Sequence, residues 1–177
     1  MRMTEGITME TLFGDGTEKG LMGKLFSAGK RMLTGENLFM TVFTNTSSQK
    51  RQVNFAAPYS GKIIPLDLSE LGGKVICQKD SFLCAAKGVS VGIELQKKLG
   101  TGLFGGEGFI MQELEGDGLT FVHSGGHVIE KELQPGEILK IDTGCLVAFT
   151  KEVQYDIQFV GGIKNSIFGG EGLFFAQ

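Results

Sequence analysis

Val153-Gln154-Tyr155-Asp156-Ile157-Gln158-Phe159 alternates apolar and polar residues without a break. Successive side chains of an extended backbone project to opposite faces, so a period of two predicts a strand with one dry and one wet side. The same spelling stands at Val89, Val91, Ile93 and Leu95, and again near the start at Ile7, Met9 and Phe13 with Thr8 and Glu10 between them.

Working outward from these runs, the chain aligns with itself. Gly61-Lys62-Ile63-Ile64 meets Gly126-His127-Val128-Ile129, and Leu68 meets Leu133. Beyond a turn of different length, Gly73-Lys74-Val75-Ile76 meets Gly136-Glu137-Ile138-Leu139, and Phe82-Leu83-Cys84-Ala85 meets Cys145-Leu146-Val147-Ala148. A Gly-Glu phrase recurs as well: Gly35-Glu36-Asn37-Leu38-Phe39-Met40, Gly106-Glu107-Gly108-Phe109-Ile110-Met111 and Gly170-Glu171-Gly172-Leu173-Phe174-Phe175. Recurrence at a domain-like interval predicts duplicated structural units. The expected division is the end of a preceding repeat plus a connector at 1–18, a first β-sandwich repeat at 19–98, a second at 99–162 and the start of a third at 163–177. On this reading the polypeptide is a shortened form of a longer protein.

Composition agrees with an all-β fold. Glycine supplies 28 of 177 residues and proline 3, against a usual glycine share of about 7%. Glycine reaches positive φ at no steric cost and so serves the tight turns between short strands. Within residues 109–122, the Glu115-Gly116-Asp117-Gly118 step is the strongest hairpin signal and predicts antiparallel pairing of its flanks.

A formal net charge of −3 offers little attraction to a polyanion, and Lys19, Lys24, Lys30 and Arg31 are too few for a basic stripe. No nucleic-acid partner is expected. No apolar run approaches the ~18 residues that cross a bilayer as a helix, and residues 1–11 lack the basic-then-apolar character of a signal peptide. A soluble, cytoplasmic protein is expected. Residues 14–34 interleave Leu21, Met22, Leu25, Phe26, Met32 and Leu33 with basic residues. That leaves peripheral membrane association open, with a linker packed on the sandwich as the plainer alternative. Cys77, Cys84 and Cys145 cannot all pair within one chain; Cys84 and Cys145 fall at positions that are apolar in the other copy, and the cysteines are expected to behave as small core hydrophobes.

Two constellations could carry chemistry. The first is the Gly-Glu phrase, with Gly35, Glu36, Gly106, Glu107, Gly108, Gly170, Glu171 and Gly172 read as a turn lock that recurs in each copy. Asn37 replaces a glycine there, and asparagine tolerates the left-handed region better than other side chains. The second is His123, His127 and Glu130, whose residue types suit a divalent metal in a cupin-like barrel. The sister copy carries Pro58 and Lys62 instead, and the Gly125-Gly126 turn predicts exposed histidines. No nucleophile elbow, phosphate loop or dinucleotide fingerprint is present. No cofactor and no catalysis are expected.

The order Gly-Glu-x-Leu-Phe, Asp80-Ser81-Phe82-Leu83-Cys84-Ala85, Phe104-Gly105-Gly106-Glu107-Gly108-Phe109-Ile110-Met111-Gln112, Leu133-Gln134-Pro135-Gly136-Glu137 and Ile141-Asp142-x-Gly144 resembles the bacterial branch of the altered-inheritance-of-mitochondria family. The resemblance implies duplicated β-sandwiches of double-stranded β-helix type, similar to the tryptophan RNA-binding attenuation protein, that associate further. Eukaryotic members are linked to mitochondrial inner-membrane organisation. No ligand residue of the attenuation protein maps onto this chain, so its RNA and tryptophan sites are not carried over. The expectation is a non-catalytic repeat protein, a homo-oligomeric scaffold or binding module, with the cupin-like metal or small-ligand barrel as the alternative.

Overall fold

A computed structural model describes residues 1–13, 39–94, 111–159 and 174–176. Among them the elements are β1 (Arg2–Met3), β2 (Ile7–Phe13), β3 (Phe39–Asn45), β4 (Val53–Asn54), β5 (Gly61–Asp67), β6 (Lys74–Gln78), β7 (Phe82–Ala85), β8 (Ser90–Glu94), β9 (Met111–Glu115), β10 (Leu119–Gly125), β11 (Ile141–Asp142), β12 (Ala148–Thr150), β13 (Ile157–Phe159) and β14 (Phe174–Ala176). Short 3-10 turns at Lys79–Ser81 and Thr143–Cys145 interrupt them. The protein is all-β.

Residues 61–125, joined by β12, form a sandwich of two antiparallel sheets, ordered β5-β10-β7 and β12-β6-β9-β8. Alternation explains which side chains meet between them. Val75 and Cys77 of β6, Val91 of β8, Leu114 of β9 and Val122 of β10 point inward and are buried, together with Leu68 and Val89. Each such side chain removed from water contributes about 1.5–3 kcal/mol. Pro65 lies within β5 opposite Phe121, and proline, which has no N–H to donate, is tolerated because β5 is an edge strand of its sheet.

The Gly116-Asp117 step joins the two layers. β9 pairs with β6 and β8, whereas β10 pairs with β5 and β7, so the predicted hairpin between them is corrected to a sheet-to-sheet corner. Close backbone packing explains the change. Gly116 N donates to Gly73 O at 3.0 Å and Leu68 N to Gly118 O at 3.3 Å. Gly116 has φ +152°, and a Cβ there would lie 2.5 Å from Gly88 O. A corner this tight carries the chain across the core instead of folding it back within one sheet.

One strand register recurs along the chain. Gln78 stands opposite Met111, and Met111 opposite Glu94. Asp142 stands opposite Phe175, and Phe175 opposite Gln158. Each residue of the second set follows its counterpart by 64 positions (142 − 78, 175 − 111, 158 − 94). The 3-10 turns keep that spacing: Gln78 caps the first by accepting from Asp80 N, and Asp142 caps the second by accepting from Gly144 N. Near the start, Phe13 faces Phe39 as Phe159 faces Phe174. There Met3 faces Val53 as Ala85 faces Thr120, and Gly6 (φ 87°) follows Met3 as Gly88 (φ 109°) follows Ala85.

This register revises part of the alignment read from sequence. It sets Cys145 against Ser81 instead of Phe82, at the end of a 3-10 turn. Cys145 is exposed there and is no core hydrophobe, while Cys77 is buried and Cys84 half-buried. Burial also pushes the Cys84 thiol above its usual pKa, which suits an inert packing role. The 14–34 segment and the connectors before the second and third Gly-Glu phrases lie outside the described residues.

Candidate interaction site

Residues 126–140 carry the alternating pattern of β5 and β6 and yet form no strand. Their turn is well built. Gln134-Pro135-Gly136-Glu137 closes with Glu137 N donating to Gln134 O at 2.8 Å, and Gly136 has φ 81°. Proline followed by a positive-φ glycine is the chemistry of a type II turn. Glu137 locks it further, accepting from Gln134 N at 3.0 Å and from Lys131 Nζ at 2.6 Å. The Lys131 ammonium, and after it the Gln134 amide, hold the Glu137 carboxyl below its usual pKa.

Among the described residues, the arms of this turn pair with no strand until Ile141 and Asp142 meet β14. β10 pairs with β5 along its whole length, with Val122 opposite Ile64, and Ile64 packs on the core. Ile129, the residue aligned with Ile64, is 84% exposed, and Ile138 is 66% exposed. No strand lies against residues 126–132 among the described residues. The N-terminal strands show the converse. β4 occupies the register position of β10, pairs with β1 alone, and is followed by Phe55, 37% exposed, whose ring meets Phe43 edge-on at 5.4 Å.

Other predicted site residues scatter. His123 sits on β10 opposite Ile63 and is 2% exposed, which corrects the expectation of exposure. Its ring lies 4.5 Å from that of Tyr59. Gly61 makes room for it: a Cβ there would stand 2.8 Å from His123 Nε2 and 2.0 Å from Ser124 O. Neither ring nitrogen has a hydrogen-bond partner among the described residues. His127 and Glu130 are exposed in the arm beyond, and no group of three His, Cys, Asp or Glu with metal-holding geometry occurs among the described residues. Gly35, Glu36, Gly106, Glu107, Gly108, Gly170, Glu171 and Gly172 lie outside those residues. Sequence reading aligned Ile129 with Ile64 and passed over Phe55, because local alternation does not reveal which strand lies alongside.

The outer face of the four-stranded sheet carries a close charge pair, Lys74 Nζ to Glu113 Oε2 at 2.7 Å, both groups part-exposed. Burial pushes the Glu113 carboxyl up, but the Lys74 contact and hydrogen bonds with Glu94 and Glu115 outweigh it, leaving the group below its usual value. Lys74 is held above its own by the same contact. No helix among the described residues is long and apolar enough to cross a membrane.

Comparison with known proteins agrees with this architecture. An uncharacterized protein of Streptococcus pyogenes serotype M6 is 34% identical over 173 residues, covering 96% of this chain, and the chain spans 66% of that relative's length. The crystal structure of another Streptococcus pyogenes protein, a structural genomics target, superposes with a TM-score of 0.71 at 27% identity over 99% of this chain and 73% of that one. The family described as mitochondrial biogenesis AIM24 matches residues 1–177 without interruption, and the chain belongs to that family.

Proposed function

We propose that this chain is a non-catalytic scaffold or binding module, assembled from repeats of one β unit and associating with itself through their open edges. The observation that carries the reading is the register recurring at 64 residues, with its capped 3-10 turns. Repeated units of this kind bury their apolar faces against neighbours, and strand edges and sheet faces of the same kind serve assembly between chains. The recurring pairs favour a unit frame shifted from the division at 98 and 99: strands β7 to β10 recur as β1 to β4, and β5 to β9 recur across residues 126–176. In this frame the Gly-Glu phrase precedes the central strand of each unit and remains a turn lock. The resemblance of the unit to the attenuation-protein sandwich belongs to the same proposal. A cytoplasmic location belongs to the same proposal, as does the absence of a nucleic-acid partner, which a net charge of −3 supports because it offers little attraction to a polyanion.

The sandwich interior supports the non-catalytic side of the reading, because apolar side chains fill it. Light scattering of the purified chain over a concentration series tests the whole. A concentration-dependent rise to a discrete multiple of the chain mass is expected, and a strictly monomeric species throughout would overturn it.

A further inference from the structure

We infer that the outer face of the β5-β10-β7 sheet binds a small phenol-like aromatic molecule, in a notch that the Tyr59 ring occupies, with His123 supplying the polar contact. The notch lies within the 61–125 sandwich and is independent of how chains associate. Val122 and Ile64 pack on the core, so alternation places His123 and Gly125 of β10, with Ile63 and Gly61 opposite them, on the outer face. Gly61 and Gly125 stand directly opposite each other, and two facing glycines leave that end of the sheet without side chains. A Cβ at Gly125 would lie 3.3 Å from the Tyr59 ring, and one at Gly61 would lie 2.8 Å from His123 Nε2. The space over the glycine pair is where the two rings meet, their centroids 4.5 Å apart and their planes tilted by 60°.

Packing alone does not account for the imidazole. His123 is 2% exposed, and neither ring nitrogen has a hydrogen-bond partner among the described residues, although an unpaired buried polar group costs folding free energy. An apolar ring would avoid that cost, so the retained imidazole points to a partner that arrives from outside. Its cover is suited to leave. Tyr59 stands on the bend at 58–60 and is 53% exposed, and a ring half in water on a connecting segment moves aside at little cost. Ile63, 47% exposed, supplies an apolar wall beside it. A mostly apolar recess with one placed polar group is what small aromatic molecules occupy. The hydroxyl follows from the imidazole: a neutral ring has one donor and one acceptor nitrogen, and a hydroxyl serves either. Ligand and Tyr59 compete for the same notch, so displacement of the ring accompanies binding.

Sealed equilibrium dialysis of the full chain against p-cresol, the free counterpart of the tyrosine ring, tests the site. Saturable binding to the parent chain is expected. It should tighten by at least about tenfold in Tyr59→Ala, where the competing ring is gone, and weaken by at least about tenfold for toluene, which lacks the hydroxyl. His123→Phe should bind p-cresol no better than toluene. Gly125→Ala, whose methyl enters the notch, should weaken p-cresol binding and leave the circular dichroism spectrum that of the parent. Should Tyr59→Ala fail to fold, the parent, His123→Phe and Gly125→Ala decide the matter. No saturable binding to the parent overturns the inference. Binding to Tyr59→Ala alone makes Tyr59 a fixed part of the fold and overturns it as well. Equal affinity for p-cresol and toluene, or binding unchanged in both His123→Phe and Gly125→Ala, places the molecule elsewhere on the surface and overturns the assignment of the notch.

Discussion

Residues 61–67 and 126–132 begin from nearly one spelling, Gly-Lys-Ile-Ile and Gly-His-Val-Ile, and end in different states. The first is a seven-residue strand paired along its length with β10. The second carries no strand and leaves Ile129 84% exposed. The difference teaches that a strand belongs to a pair. Local alternation prepares a segment, but its N–H and C=O groups become a ladder only when a neighbour supplies theirs.

Truncation should break the comparison most sharply. Leu114 is fully buried in the complete sandwich, so Leu114→Ala is expected to cost about 2–5 kcal/mol. Ile129→Ala in the uncovered arm should change the stability of the isolated chain by less than about 0.5 kcal/mol. Urea denaturation of both variants at low protein concentration measures the contrast, and equal losses would show that the 126–132 arm is already packed.

Next in size is the corner that separates the two layers. Gly116→Ala places a Cβ 2.5 Å from Gly88 O at a φ of +152°, and should destabilise by about 2 kcal/mol through backbone strain. Gly136 also has a positive φ, but a Cβ added there would meet no atom within 4 Å. Gly136→Ala should therefore cost less than Gly116→Ala when the two variants are melted side by side.

A smaller effect of opposite sign is expected at His123. Two buried ring nitrogens without partners are a cost of folding, of order 1–3 kcal/mol for an unsatisfied group. His123→Phe keeps a planar ring against Tyr59 and should raise the free energy of unfolding by about 1 kcal/mol, read from the urea midpoint. A clear loss of stability would show that the imidazole makes a polar contact the fold depends on.

The Lys74–Glu113 pair should give the smallest change, under about 1 kcal/mol at neutral pH, as expected of a part-exposed ion pair. Its sign follows from the shifts. The Glu113 carboxyl lies below its ordinary value of 4.5 in the folded chain, so its contribution is full above that value and is lost as pH falls through the lowered one. Lys74 lies above 10.5, so its contribution is full below that value and is lost as pH rises through the raised one. Glu113→Gln should therefore flatten the acid side of a stability-versus-pH curve.

Much of this was legible in the residues themselves. The alternation at 89–95 and the glycine-rich turns announced an all-β chain, because strand periodicity and turn chemistry are local properties. Of the alternating run 153–159 only Ile157–Phe159 is a strand, and the resemblance to the family rested on the order of the motifs. The alignment failed by one residue around Cys145, since the point where the turn lengths differ leaves no mark in a run of apolar residues. The expectation of exposed histidines failed at His123, whose burial depends on Tyr59 and Gly61 across the sheet.

Sequence alone determined the all-β class and many of the turns, since these follow from side-chain period and backbone freedom within a few residues, and the order of its motifs carried the resemblance to the family. Tertiary structure decided that the Gly116 bend crosses between layers, that His123 is enclosed, and that Ile129 stands exposed while Phe55 packs on Phe43. Each of those outcomes depends on which distant strand lies alongside, and hydrogen bonding and burial between distant strands are not written in any local stretch of the chain.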